Sequence, residues 1–257
     1  MPSWNADLYL QFASERNQPS IDLTARIRLD APSRIIDLGC GPGNSTAVVR
    51  GRWPGAELVG MDHSADMMAK ARADFPEAAW ELGEIPTWSP TQKFDLVFSN
   101  AALQWVLDHA TLIPHLFAQV ASGGALAVQI PAHLESAVHR AIVEIAADPE
   151  WTTAMQSAQH SLNVGTPESY YDLLCGGAAH LDLWVTTYQH VLAGPGAVVE
   201  WIRGTGLRPF LEALPNDDQR TRFTARRLAR VTEQYPRRAD GKVIFPFRRL
   251  FFVAYRT

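Results

Sequence analysis

The run Asp37-Leu38-Gly39-Cys40-Gly41-Pro42-Gly43 follows directly on Arg34-Ile35-Ile36. A short apolar run that passes into three closely spaced glycines reads as a strand, Arg34–Leu38, ending in a tight turn. Asn44 and Ser45 cap the next helix, which is expected to reach about Trp53 before Pro54-Gly55 breaks it. At such a turn the glycines leave no Cβ between the backbone N–H groups and a ligand.

Outward from this unit the alternation continues. Glu57–Met61 reads as a second strand closed by Asp62, and Ser64 caps a helix from Ala65 to about Phe75, stopped by Pro76. Ala79–Leu82 is a third strand, and Phe94–Ser99 a fourth, apolar on both faces. Leu112–Val120 is helical, and Ser122-Gly123-Gly124 turns into a fifth strand, Ala125–Ile130. Near-continuous apolar strands alternating with helices predict an α/β Rossmann-like sheet, mostly parallel, with helices on both faces. Before it, Asp7–Arg16 and Ser20–Leu29 read as two helices separated by Pro19. After Pro131 the pattern changes. His133–Ala147 is helical, 150–175 is irregular helix and loop, and Trp184–Leu192 is a strand. Residues 195–235 are helix broken by Gly204, Gly206 and Pro209, and Leu250–Tyr255 is a final strand. No linker interrupts the chain, so a single domain over 1–257 is expected. Its cofactor-binding core covers about 31–131 with the strands near 184–192 and 250–255. N-terminal helices cover 6–29, and a helical lid about 132–178 and 194–246.

Of the 257 residues 47% are hydrophobic, which suffices for the core of such a domain. Apolar runs such as Ala125 to Ile130 are too short to cross a bilayer, and the first residues lack the basic and apolar segments of a signal peptide. Cys40 sits inside the glycine turn, far in sequence from Cys175, which fits reduced thiols and a cytoplasmic location. The net charge of −4 hides an asymmetry: residues 201–257 carry twelve Arg and one Lys against five acids. Most of that excess (Arg220, Arg222, Arg226, Arg227, Arg230) reads as a solvated helix face.

A dinucleotide fingerprint is Gly-x-Gly-x-x-Gly laid against a pyrophosphate. Here the spacing is Gly-x-Gly-x-Gly, and Asp37 precedes it. A carboxylate repels a pyrophosphate and attracts an ammonium, directly or through water. S-adenosylmethionine carries an α-ammonium and a sulfonium and no phosphate, so the turn favours it over NAD. Asp62 can accept from both ribose hydroxyls, a feature the two cofactors share. Glu84, after the third strand, can accept from the adenine amino group with Ile85 packed on the ring. Asn100, closing the fourth strand, faces the methionine end. Gly39, Cys40, Gly41, Asn44, His63 and Met67 complete the expected cofactor-binding set. All of these follow strand ends, where ligands of open α/β sheets bind.

The run Asp37–Gly43 with Asp62, Glu84 and Phe94–Asn100 resembles motifs one to four of the class I methyltransferases. The chain is also similar over nearly its whole length to the trans-aconitate 2-methyltransferase family. The matching stretches are Trp4-Asn5 with Leu8-Tyr9-Leu10, Leu38–Thr46, and Leu103-Gln104-Trp105. Later come Thr186-Thr187-Tyr188 with His190, Thr205–Pro209, Glu233–Pro236 and Arg249-Leu250-Phe251. One departure is Gly83-Glu84, where the family often has Ala-Asp. The resemblance implies esterification of one carboxylate of trans-aconitate, a planar tricarboxylate, giving its monomethyl ester and S-adenosylhomocysteine.

A carboxylate nucleophile is already ionised near neutral pH, so no general base is needed. Catalysis then rests on aligning oxygen, methyl and sulfur and on excluding water. A trianionic substrate needs cations on its non-reacting carboxylates. Arg16, Arg208 and Arg249, outside the helix-face run, are the expected substrate-binding residues, with Arg16 also a candidate for the cofactor's own carboxylate. Tyr9, Trp105, Tyr188 and His190 are the expected uncharged walls and donors. No His, Cys and carboxylate cluster has metal spacing, and no metal is expected. Nucleic-acid and membrane partners are not expected either. Asn100-Ala101-Ala102-Leu103 lacks the Pro-Pro-aromatic run of amino-group base methylation, and Cys175 follows Leu174 rather than Pro. The alternatives are a methyltransferase for an oxygen or nitrogen of another small metabolite, with His190 as base, and a non-catalytic cofactor-binding regulator.

Overall fold

The computed structural model describes residues 13–156, 158, 161–203 and 206–257. Seven strands form one sheet: β1 (Arg34–Leu38), β2 (Glu57–Asp62), β3 (Ala79–Leu82), β4 (Phe94–Asn100), β5 (Val120–Pro131), β6 (Ala178–Leu192) and β7 (Val243–Arg256). Their order is β3-β2-β1-β4-β5-β7-β6. The five strands from β3 to β5 are parallel, and β7 runs antiparallel between β5 and β6. Strand order reverses between β1 and β4, so the loops after both strands open at one end of the sheet and leave a crevice there.

The central strands β1, β4 and β5 form because their side chains are buried on both faces. Ile36, Leu38, Val97, Leu126 and Val128 pack on one face, beneath α4 (His109–Ala118) and α7 (Pro167–Leu174). Ile35, Leu58, Leu96, Phe98 and Ala127 pack on the other, against α1 (Ala13–Arg26) and α2 (Asn44–Arg52). Residues 35/36 and 96/97 divide between the faces with the two-residue period of a strand. On β2's side α3 (Ala65–Asp74) buries Met68 and Ala71.

The expected break at Pro19 does not occur: α1 runs through it. Arg16, Pro19, Ser20, Leu23, Thr24 and Ile27 are all buried, and their three- and four-residue spacing makes one continuous stripe. Packing of that stripe offsets the one helical hydrogen bond that proline cannot donate. The part of the expected first helix before residue 13 lies outside the described residues.

Both late strands start earlier than expected: β6 at Ala178 rather than 184, and β7 at Val243, so that 243–246, assigned to the lid, are strand. Burial alternates along 243–249, with Val243, Phe245 and Phe247 inside and Ile244, Pro246 and Arg248 outside. That is a half-buried antiparallel strand, disguised in sequence by Pro246 and the arginines. The remaining helices are α5 (Ala137–Ala146), α6 (Thr152–Met155), α8 (Pro195–Arg203), α9 (Arg208–Ala213) and α10 (Asp217–Gln234). They build a core of their own around Trp151, Trp201, Phe210 and Phe223, joined to Phe245 and Phe247 of β7.

The arginine run on α10 divides. Arg222 pairs with Glu150 and Asp218, and Arg226 with Asp148 at 2.7 Å, on the solvated side as expected. Arg227 is fully buried instead, and none of its guanidinium nitrogens has a hydrogen-bond partner among the described residues. Phe223, Arg227 and Val231, four residues apart, form the inward stripe of α10, which places position 227 in the core.

Candidate active site

A cleft of about 740 Å³ opens where β1, β2 and β4 end. Its first half is the glycine turn. Gly39 has φ +72°, and a Cβ there would lie 2.2 Å from the Cβ of Ala102. Only glycine admits both that conformation and that closeness. Gly41, at φ +55°, has nothing within 4 Å of where its Cβ would be, so its backbone lies bare at the cleft. Asn44 and the first turn of α2 follow.

Asp62, at the end of β2, is nearly buried but still lines the cleft. Its Oδ2 accepts from Gly41 N–H (3.0 Å) and its Oδ1 from Ser64 N–H (2.9 Å). Two backbone donors fix the carboxylate while leaving it further acceptor capacity. His63 Nδ1 lies 3.3 Å from Oδ1, with its ring largely in solvent. Ser64 caps α3 by accepting from Met67 N–H, which brings Met67 to the cleft wall. Glu84, Ile85 and Asn100 also line it, and the buried Oδ1 of Asn100 has no hydrogen-bond partner among the described residues. These features fit an adenosyl ligand with ribose hydroxyls and an amino-acid end. The bare backbone at Gly41 accepts close approach, Asp62 has acceptor capacity left, and Asn100 has an unmet acceptor.

Asp37 does not stand on that wall. Its carboxylate is fully buried beneath the turn, where Oδ2 accepts from the hydroxyls of Ser45 (2.6 Å) and Thr46 (2.7 Å). Those hydroxyls open α2, so Asp37 ties the helix start to β1 and serves the ligand through the turn it holds. Burial, offset in part by the two hydroxyls, pushes its carboxyl up to about 6. The sign follows from linkage. A raised carboxyl lets the folded state hold a proton that the unfolded chain has released, so this contribution is lost as pH rises through 6. Between pH 5 and 7 the loss amounts to about 1 kcal/mol. His133 and His190, buried and neutral, act in the opposite direction below 6.5. The measurement is therefore the stability of the protein minus that of Asp37→Asn across this range. A difference that does not fall with pH would contradict the raised carboxyl.

The other half of the cleft is cationic. Arg16 from α1, Arg208 from α9 and Arg249 from β7 all line it. Arg16 is buried, donates to the carbonyl of Trp201 (2.9 Å) and lies over that indole. Arg249 is buried, donates from Nη1 to Gln129 Oε1 (3.1 Å) and lies over Phe247. Arg208 is half-buried and pairs with Glu212 one turn along its own helix. Arg16 lies 192 positions from Arg208 and 233 from Arg249 in the sequence, yet all three line one cleft. Trp105, in the 3-10 turn Leu103–Trp105, also lines the cleft.

Residues 9–174 match the family model described as a methyltransferase domain. The chain is 44% identical over 256 residues to the trans-aconitate 2-methyltransferase of Azoarcus sp. (strain BH72), covering 100% of both chains. It is 46% identical to that of Variovorax paradoxus (strain S110), covering 99% of this chain and 98% of the relative. The chain belongs to the trans-aconitate 2-methyltransferase family. In fold it resembles the YcgJ protein of Bacillus subtilis, with TM-score 0.58 at 13% identity over 93% of this chain and 98% of the other.

Two residues of the family-like stretches lie elsewhere than expected. Tyr188 and His190 do not line the cleft. From β6 the Tyr188 hydroxyl donates to Asp22 of α1, and the His190 ring packs 4.4 Å from Trp201 of α8. They back the wall that Trp201 and Arg16 form. Tyr9 lies outside the described residues. The sequence reading missed Gln104, His133, Trp201 and Phe247, which also line the cleft. Gln104 and His133 follow the ends of β4 and β5, the same positional signal that picked out Asn100. Trp201 and Phe247 carried no signal beyond being aromatic. No group of His, Cys, Asp and Glu among the described residues is arranged to hold a metal ion. No helix among them is long and apolar enough to cross a membrane.

Proposed function

We propose that this protein transfers a methyl group from S-adenosylmethionine to a carboxylate of trans-aconitate, giving the monomethyl ester and S-adenosylhomocysteine. The observation that carries the proposal is the convergence of Arg16, Arg208 and Arg249 on a cleft whose other half is a methyltransferase glycine turn. The curated relatives bear the name of the same reaction. In this reading the Gly39–Gly41 turn, Asn44 and Asn100 hold the amino-acid end of the cofactor, Asp62 the ribose, and Glu84 with Ile85 the adenine. Bound there, the cofactor supplies an electrophilic methyl group on a sulfonium.

The protein's own residues then do three things. The arginines bind the non-reacting carboxylates, because a guanidinium fork on the reacting oxygen would blunt its nucleophilicity. Trp105, Trp201 and Phe247 exclude water and fix the planar substrate. The helical layer above the sheet, the proposed lid of a single domain, brings Trp201 and Arg208 to the cleft. No proton needs to move. Incubation with labelled S-adenosylmethionine and a panel of di- and tricarboxylates tests the proposal. Methyl ester should form fastest on trans-aconitate, and label on none of the acids would refute it.

The rival in which His190 is the base for a neutral acceptor loses support. His190 is one layer behind the cleft, and burial, with Arg249 nearby, holds its pKa down at about 4. His190→Gln is expected to change kcat by less than about threefold, and kcat should show no limb near 6.5. A collapse of kcat, or such a limb lost in the variant, would restore the rival.

A further inference from the structure

We infer that His133 selects the substrate: its imidazole N–H donates to one carboxylate of the polycarboxylate, alongside the arginine contacts. The inference rests on the acidic-substrate reading above and adds a residue to it.

His133 stands two residues beyond β5, in the wall of the cationic half, and is 6% exposed. Its ring stacks on Phe247 at 4.7 Å between centroids. The Arg249 guanidinium lies over the same Phe247 ring at 4.9 Å. One aromatic platform therefore carries a cation and an imidazole side by side. The two edges of the imidazole differ. Nδ1 is buried and has no hydrogen-bond partner among the described residues, and the His139 ring packs edge-on to the imidazole. The Nε2 edge faces Gly206, where a Cβ would lie 3.2 Å from Nε2. Gly206 itself lines the cleft, so its missing side chain leaves that edge open to the ligand space.

Burial, His139 and Arg249 together hold the imidazole far below its usual pKa, at about 3. The ring is neutral and has one proton to place. A buried N–H without an acceptor is rarer in proteins than a buried acceptor without a donor. The proton therefore belongs on Nε2, at the open edge, and an ionised carboxylate, which only accepts, completes the pair. A neutral donor suits this place. It orients a carboxylate without the strong charge pairing that a fourth arginine would add, and it is lost on a substrate that has no oxygen there.

Three dicarboxylates each lack a different carboxylate of trans-aconitate: mesaconate, cis-glutaconate and itaconate. The test measures the KM of trans-aconitate and the inhibition constants of the three acids, for the wild type, His133→Phe and His133→Gln. His133→Phe is expected to raise KM about tenfold, the value of one hydrogen bond to a charged group. It should raise the inhibition constants of two acids similarly and leave the third, which lacks the carboxylate that His133 holds, within twofold. His133→Gln, which keeps an N–H donor, should recover most of the loss. Affinity for S-adenosylmethionine should not change in either variant. Gly206→Ala gives an independent check that spares the imidazole: a methyl group crowding Nε2 should reproduce the same pattern. Equal shifts for all three acids, or no shift for any, would show that His133 only packs against Phe247 and would overturn the inference. If the wild type esterifies no polycarboxylate, the functional reading fails first and takes this inference with it.

Discussion

Asp62→Ala should weaken S-adenosylmethionine binding by roughly 100-fold or more while the fold survives. The carboxylate closes β2 and is held by Gly41 N–H and Ser64 N–H, so it arrives at the cleft already oriented. Its remaining acceptor capacity serves two ribose hydroxyls in the proposed complex. A hydrogen bond to a charged group contributes about 1.5–3 kcal/mol, so loss of both corresponds to two orders of magnitude or more. A second effect works in the same direction. Without the carboxylate, Gly41, at φ +55° and open on its ligand side, loses its anchor. The N–H groups of residues 41 and 64 lie at the cleft and can turn to water, so thermal stability without cofactor should fall much less than affinity. Calorimetric titration with S-adenosylmethionine and with S-adenosylhomocysteine provides the measurement. Both should weaken alike, since they share the ribose. Unchanged affinity would reduce Asp62 to a clasp for the turn.

The parallel part of the sheet was legible because burial on both faces leaves a strand no choice but to be apolar throughout. Ile35-Ile36, Leu96-Val97-Phe98 and Leu126-Ala127-Val128 are runs of that kind. Where a strand is half-buried the signal weakens. Val243–Phe247 alternates correctly, but Pro246 falls on an outward position and punctuates the pattern as a loop would. Pro19 misled in the same way: its local preference is real, but the stripe from Arg16 to Ile27 decides the matter through packing. Arg227 shows the limit of reading charge. Its four-residue offset from Phe223 and Val231 places it inward, and only the helix phase, not the residue type, carried that information.

The site divides along similar lines. The glycine turn, Asp62, Glu84 and Asn100 were legible because strand ends are fixed points of the fold and chemistry placed there needs no long-range knowledge. Asp37 was recognised, but its place was not. Alternation along β1 turns it under the loop, and the hydroxyls of Ser45 and Thr46 take it up. Tyr188 and His190 were chosen for their surroundings in the chain, yet Tyr188 turns to Asp22 of α1 and His190 to Trp201 of α8. The convergence of α1, α9 and β7 is a property of the tertiary fold. Arg16, Arg208 and Arg249 were named from resemblance and from the needs of a trianion, and neither reading contained their meeting.

That meeting gives the sharpest expectation about substrate. Removing Arg249 or Arg16 should lower kcat/KM for trans-aconitate by roughly 30- to 1000-fold, because either change leaves a carboxylate unpaired in a site shielded from water. Both side chains are nearly buried, and both are already held by neutral oxygens, Arg249 by Gln129 Oε1 and Arg16 by the Trp201 carbonyl. These two contacts orient the guanidinium groups. Arg208 should matter less, since it is part-exposed and shares its charge with Glu212 on the same helix. Arg226 is the control. It is more than half exposed and paired with Asp148 on the far side of α10, so Arg226→Ala should stay within about twofold. The order of losses, Arg249 and Arg16 above Arg208 and Arg208 above Arg226, follows from burial. Buried arginines also support the fold, so each variant needs its melting temperature and its S-adenosylmethionine affinity measured beside the kinetics. A loss confined to trans-aconitate, with the other two quantities held, marks a substrate contact. The substrates themselves give a parallel scale: trans-aconitate should exceed citrate, and a dicarboxylate should lose kcat as well as affinity, because a missing arm also misaligns the reacting oxygen. Equal losses for Arg226 and Arg249, or equal rates across the acids, would leave a methyltransferase whose substrate is not a polycarboxylate.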